Sequence, residues 1–231
     1  GGLRNVIMKD RGRSEIKLAE NSGFCFGVDN AVRTAYDLVS DDKNTDLPVH
    51  RYMLGKLIHN NEVIDELRSK GLELVHDPDQ IEPGSIVLIR AHGVSPEIIG
   101  RLEKRGAKII DCTCPYVRKI HSFVRKACLE NKQIIIVGDP EHPEVRGIDG
   151  ECEEKALIID STESLSLDKL QDVETVVVAQ TTFSASKYKD ICDILNKKIA
   201  KLEIFGTICS TTEKRQKEAK ELASDSDMMI V

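Results

Sequence analysis

With 231 residues, 40% hydrophobic and 31% charged side chains and a net charge of −6, the chain can bury one or two cores, and its acidity argues against non-specific nucleic-acid binding. No apolar run approaches the roughly 18 residues of a membrane span, and the basic, polar stretch 1–14 lacks the apolar centre of an export signal. A cytoplasmic protein with seven cysteines, an odd number, points to metal binding or catalysis rather than a disulfide framework.

Residues 1–14 read as a tag or upstream remnant. After Glu15, short β-rich runs alternate with amphipathic stretches, the signature of parallel sheet with crossover helices. Ile16-Lys17-Leu18-Ala19 reads as a strand leading to Gly23-Phe24-Cys25-Phe26-Gly27-Val28, and residues 28–38 as a helix with Val28, Ala31, Val32, Ala35 and Leu38 on one stripe. A polar linker, 40–46, follows. The run 52–58 ends at His59-Asn60-Asn61, before a helix carrying Val63, Ile64 and Leu67 that Gly71 stops. The run 85–89 ends in Arg90-Ala91-His92-Gly93-Val94, with Ser95 as N-cap, Pro96 at N1 and Glu97 in the first turn. Ile109-Ile110 closes a further strand, and Cys114-Pro115 opens a helix with Val117, Ile120, Val124 and Cys128 at helical spacing.

The second half repeats the scheme. Residues 133–138 form a buried strand that ends in Asp139-Pro140-Glu141-His142-Pro143-Glu144-Val145. The strand 175–179 ends in Gln180-Thr181-Thr182, and a helix covers 185–198. Leu202-Glu203-Ile204-Phe205 leads to Ile208-Cys209-Ser210-Thr211-Thr212 and a charged helix over 212–223, and 227–231 reads as a last strand. In parallel sheets ligands bind beyond the carboxyl ends of strands, which is where the cysteines, histidines and threonines fall.

Cys25, Cys114 and Cys209 share one kind of place, a strand-to-helix junction, and three such junctions point to one iron–sulfur cluster. Zinc is the competing metal, but widely spaced single cysteines lack its paired C-x-x-C knuckles; Cys112 is the reserve ligand. Cys128 and Cys192 read as small hydrophobes on apolar helix faces, and Cys152, between two glutamates, as exposed. His59, His92 and His142 each follow a strand, whereas His50, His76 and His121 read as surface or satisfied histidines. Glu144 lies two residues past His142 across a proline, an arrangement that suits one cavity; its alternative is a first-turn acid on a helix. Thr181 and Thr182 serve either the site or a helix cap.

These motifs, in this order from Glu15 onward, resemble the 4-hydroxy-3-methylbut-2-enyl diphosphate reductase family, the last enzymes of the methylerythritol phosphate route to isoprenoids. The matching segments are Gly23-Phe24-Cys25-Phe26-Gly27-Val28, Ile58-His59-Asn60, Ala91-His92-Gly93-Val94, Thr113-Cys114-Pro115, His142-Pro143-Glu144-Val145, Gln180-Thr181-Thr182 and Ile208-Cys209-Ser210-Thr211-Thr212. The resemblance implies an α/β fold of three small parallel-sheet modules around a pseudo-threefold axis: an N-terminal strand in 15–26 joining the third module, a first module over 27–114, a second over 115–206, and the start of an incomplete third over 207–231. It implies a central [4Fe–4S] cluster on Cys25, Cys114 and Cys209, with one iron open to the allylic hydroxyl of a diphosphate substrate. It implies Glu144 as proton donor, Thr181 as relay or positioning group, and His59, His92 and His142 as diphosphate donors, with His142 also in proton delivery. Electrons would come from a ferredoxin or flavodoxin, with no nucleic-acid or membrane partner. The family continues past this chain into a Ser/Asn-rich diphosphate loop, so lowered activity is expected of a chain that ends at Val231. The alternatives are a [4Fe–4S] hydro-lyase, which needs no external electrons, and a non-catalytic cluster carrier.

Overall fold

The structure, a computed structural model, describes residues 15–40, 49–165, 170 and 173–230. The expected remnant 1–14 and nearly all of the linker 40–46 lie outside the described residues. Contacts divide the chain into two compact units: Phe26–Ile208, and a smaller one joining the stretch that ends at Cys25 to the stretch that begins at Cys209.

The larger unit holds two four-stranded, all-parallel sheets of identical topology. Strands β1 (Arg51–Leu54), β2 (Glu73–Val75), β3 (Ile86–Ile89) and β4 (Lys108–Asp111) lie in the order β2-β1-β3-β4. Strands β5 (Gln133–Val137), β6 (Leu157–Ile159), β7 (Thr175–Ala179) and β8 (Leu202–Ile204) lie in the order β6-β5-β7-β8. Parallel strands need crossovers, and helices α1 (Phe26–Ser40), α2 (Asn61–Ser69), α3 (Pro96–Lys104), α4 (Pro115–Leu129), α5 (Pro143–Asp149) and α6 (Ala185–Lys198) cover the sheet faces.

Alternation along each strand explains the continuous apolar runs. Met53 and Leu88 face α1 and α2, while Tyr52, Leu54, Val87 and Ile89 face the opposite way, toward α3. In the second sheet Ile134, Ile136, Val176 and Val178 pack under α4 and α5, and Ile135, Val137, Val177 and Ala179 pack against α6. Each such buried side chain contributes about 1.5–3 kcal/mol relative to exposure, so both faces of the central strands lock the register.

The helix signals hold where they are local. Ser95 caps α3 with Pro96 at N1, Ser184 caps α6, and α2 ends at Lys70 before Gly71, whose φ of +91° only glycine adopts without strain. Helix α1 extends two residues beyond each end of the expected 28–38. The edge strands β2 and β6 were not evident in the sequence, because three residues carry too little pattern; pairing with β1 and β5 makes them strands.

Several expectations are overturned. In the smaller unit neither 16–19 nor 227–230 forms a strand, and no third sheet exists among the described residues. A strand requires a ladder partner; without one Ile16 and Leu18 remain 80% and 78% exposed, and Ile230 91%. What the unit does contain is helix α7 (Ser210–Ser224), two residues longer at its start than expected. Its Glu218 accepts from Asn21 N at 3.0 Å and from Asn21 Nδ2 at 2.9 Å, and Arg215 donates to Gly23 O at 2.6 Å. Cys152 is buried rather than exposed: its Sγ turns inward to Asp149 O at 3.1 Å, and burial pushes its thiol up to about 12.

Candidate functional site

In both sheets the chain leaves the central pair of strands in opposite directions, β1 to β2 and β3 to β4, β5 to β6 and β7 to β8. That divergence opens a crevice at the carboxyl ends of the central pair, the place where parallel sheets bind ligands. His59 follows β1, His92 follows β3, His142 and Glu144 follow β5, and Thr181 follows β7. Every expected site residue in the larger unit other than Cys114 therefore comes from a central strand.

The three histidines meet. Their ring centroids are 4.8 Å apart for His59–His92, 5.8 Å for His59–His142 and 5.2 Å for His92–His142. One ring nitrogen from each lies within 4.8 Å of the others, close enough for a single ion to touch all three. The sign of that ion follows from the hydrogen bonds. His142 Nδ1 accepts the backbone N–H of Glu144 at 3.1 Å, which caps α5 and assigns the neutral ring's proton to Nε2. His92 Nδ1 is buried without a partner, a cheaper place for a lone pair than for a proton, so its proton also belongs on Nε2. Two rings with Nε2–H outward are donors, suited to an anion rather than a cation.

Burial, then the neighbouring His59, His142 and Arg90, pull His92 down to about 3. Burial and His59 likewise hold His142 below its ordinary value, partly opposed by Asp139. Both rings are neutral donors at physiological pH.

Glu144 is 1% exposed. Thr181 donates to it twice, backbone N to Oε1 at 2.6 Å and Oγ1 to Oε2 at 2.7 Å. Burial raises the Glu144 pKa above the usual carboxylate range, and the Thr181 hydrogen bonds and the charge of His121 pull it partly back. A carboxyl so balanced can hold a proton and release it.

Sequence reasoning passed over His121 and Arg90. His121 is 6% exposed; its Nδ1 sits 2.8 Å from Glu151 Oε1, and Glu151 in turn accepts two bonds from Arg125 at 2.8 and 2.9 Å. The signal was available, since His121 follows Val117 by one turn on the buried side of α4. A cleft of about 400 Å³ beside this network is no anion site, because Arg118 and Arg125 are already paired with Asp111 and Glu151. His50 and His76 are surface residues.

Cys114 and Cys209 occupy the N-cap positions of α4 and α7, and Cys25 directly precedes α1. Helix starts favour thiolates. The starts of α1 and α4 meet closely at Cys114: a Cβ on Gly27 would stand 2.7 Å from its Sγ. All three thiols are partly buried. Cys112 does not belong to the set, because it is buried in the core beneath α1 and its thiol is pushed up to about 11.

Fold and site together define a parallel α/β protein whose central strand ends carry a cluster of three histidines and a buried carboxyl held by a threonine. The chain belongs to the LytB family, whose model, described as LytB protein, matches residues 16–231. Named relatives are reductases. A 4-hydroxy-3-methylbut-2-enyl diphosphate reductase of Caldanaerobacter subterraneus subsp. tengcongensis is 39% identical over 220 residues, which are 94% of this chain and 74% of that protein. One of Clostridioides difficile is 41% identical over 217 residues, covering 94% and 76%. The solved E-1-hydroxy-2-methyl-but-2-enyl-4-diphosphate reductase of Plasmodium falciparum aligns with a TM-score of 0.79 at 30% identity, over 89% of this chain and 64% of that one.

Proposed function

We propose that the chain carries out the reductive dehydroxylation of 4-hydroxy-3-methylbut-2-enyl diphosphate to isopentenyl and dimethylallyl diphosphates. Each turnover takes up two electrons and two protons and releases one water. The observation that carries this reading is Glu144, a buried carboxyl held by Thr181 two residues after a histidine that joins His59 and His92. Such an arrangement puts a proton source next to an anion-binding ring, as loss of a hydroxyl from an allylic diphosphate requires.

In this reading Cys25, Cys114 and Cys209 hold a [4Fe–4S] cluster, which when bound supplies single electrons and an iron with an open coordination position. His59, His92 and His142 donate to the diphosphate, His92 and His142 as neutral rings. Glu144 delivers the proton that leaves with the hydroxyl, Thr181 fixes the direction of its carboxyl, and His142 links the two functions through its bond to the Glu144 N–H. A ferredoxin or flavodoxin is the electron donor, and the setting is cytoplasmic. Among the described residues no helix is long and apolar enough to cross a membrane.

The test is anaerobic turnover with a chemical reductant, comparing the chain with Glu144→Gln. The variant keeps shape and hydrogen bonding but holds no transferable proton, so turnover should fall by about 10²-fold or more with binding of inorganic diphosphate retained. Near-normal turnover removes Glu144 from the mechanism, and turnover independent of reductant would make the chain a hydro-lyase.

A further inference from the structure

Arg90 stands where β3 passes into the turn that presents His92. The turn is closed twice by the same residue: Gly93 N donates to Arg90 O at 3.0 Å, and Arg90 Nε donates to Gly93 O at 3.4 Å. The far end of the side chain reaches the first strand. Gly55, directly after β1 and ahead of the loop to His59, has φ +71°, and a Cβ there would stand 2.6 Å from Arg90 Nη1. The guanidinium is therefore wedged between the strand ends that deliver His59 and His92.

Its charge has no counterpart. Among the described residues no carboxylate pairs with Arg90; the one charge that acts on it is Arg146, a second cation, itself bonded to Glu141. Burial and Arg146 together hold its pKa below the ordinary guanidinium value, yet a guanidinium stays protonated. The same charge reaches His92 and His142 and helps to keep both neutral. A partly buried cation with no carboxylate partner carries a desolvation cost that an anionic ligand would offset. Neutral imidazoles supply hydrogen bonds to an anion but no net charge.

We propose that Arg90 is the permanent cation of this site, the counter-charge that holds a diphosphate against the three histidines. The inference rests on the diphosphate reading above and deepens it by assigning the charge to a residue outside the histidine set. It carries two opposite expectations: removing the charge weakens anion binding, and it does not weaken the unliganded fold, because an uncompensated charge disappears with it.

The experiment titrates inorganic diphosphate calorimetrically into the cluster-loaded protein and into Arg90→Met, Arg90→Lys, His59→Phe and His92→Phe, at two salt concentrations, with unfolding midpoints measured with and without diphosphate. Arg90→Met keeps the apolar stem but not the Nη1 that meets Gly55, and should bind on the order of 30-fold more weakly or worse, with a flatter salt dependence. Arg90→Lys should recover most of the affinity, and the unliganded midpoint of Arg90→Met should equal or exceed that of the parent. If Arg90→Met binds as the parent does while the histidine variants bind weakly, the assignment of Arg90 fails and the diphosphate reading stands. If Arg90→Met and Arg90→Lys lose affinity alike and both unfold earlier, Arg90 is a structural tether and the proposal is overturned. If all four variants bind like the parent, the diphosphate reading itself fails.

Discussion

At the scale of single residues the site is a set of side chains held away from their ordinary protonation states. The Glu144 carboxyl is poised between burial, which favours the acid, and two Thr181 donors, which favour the anion. Thr181→Val removes the Oγ1 donor while leaving the backbone bond, so the Glu144 pKa should rise further; Thr181→Ser should not change it. Isotope-edited infrared spectra of the carboxyl across a pH series would read both, and identical titrations in the two variants would deny the hydroxyl any influence. His92 makes a prediction about stability. Its native value of about 3 lies below the ordinary 6.5, so the unfolded chain takes up a proton as the pH falls below 6.5 and the native chain does not. The stability that His92 contributes as a neutral ring is thus full above 6.5 and is lost progressively as pH falls toward 3. Urea midpoints measured from pH 7 to pH 4 should decline less steeply in His92→Asn than in the parent; parallel declines would mean that the ring titrates normally.

At the scale of elements, two features carry the argument: the central strand pairs that deliver the site, and the close meeting of two helix starts at Cys114. Helix propensity alone favours alanine over glycine by about 1 kcal/mol. Gly27→Ala in α1 should nevertheless be harmful, because the new Cβ would lie 2.7 Å from Cys114 Sγ at the head of α4. Iron content should fall while His59, His92 and His142, which lie on other elements, keep their diphosphate binding. Full iron loading in Gly27→Ala would show that the thiol has room to shift. Helix α7 differs from the others in burying no residue. Its amides should exchange with solvent far faster than those of β5 and β7, and Glu218→Ala, which removes the acceptor for Asn21, should accelerate them further with no effect on the sheets.

At the scale of the whole chain, the candidate cluster ligands are distributed over sequence as widely as the fold allows, at positions 25, 114 and 209. Cys25→Ser, Cys114→Ser and Cys209→Ser should each abolish bound iron and the brown absorbance after anaerobic reconstitution. Cys112→Ser should keep both, since that thiol belongs to the core of the first sheet. Loss of iron in Cys112→Ser alone would reverse the ligand assignment. The chain spans about three quarters of its named bacterial relatives and 64% of the Plasmodium structure.

The sequence by itself determined most of the larger unit's elements and their order, the edge strands β2 and β6 excepted. Apolar runs of four or five residues, caps such as Ser95-Pro96 and Ser184, and the stop at Gly71 act within a few residues of themselves, so their physics is written locally. It also showed which residue types stand at strand ends, which singled out His59, His92 and His142, while the family resemblance joined Glu144 and Thr181 to them. Only the tertiary structure decided how their charges are set. Nothing near Arg90 in sequence reveals that it lies against Gly55 with no carboxylate beside it, and nothing near Cys152 reveals that it turns inward. Strand formation at 16–19 and 227–230 was misjudged for the same reason: pattern makes a segment fit for a sheet, but the hydrogen bonds come from a partner elsewhere in the chain. Burial and pairing are long-range properties, and no short segment of sequence carries them.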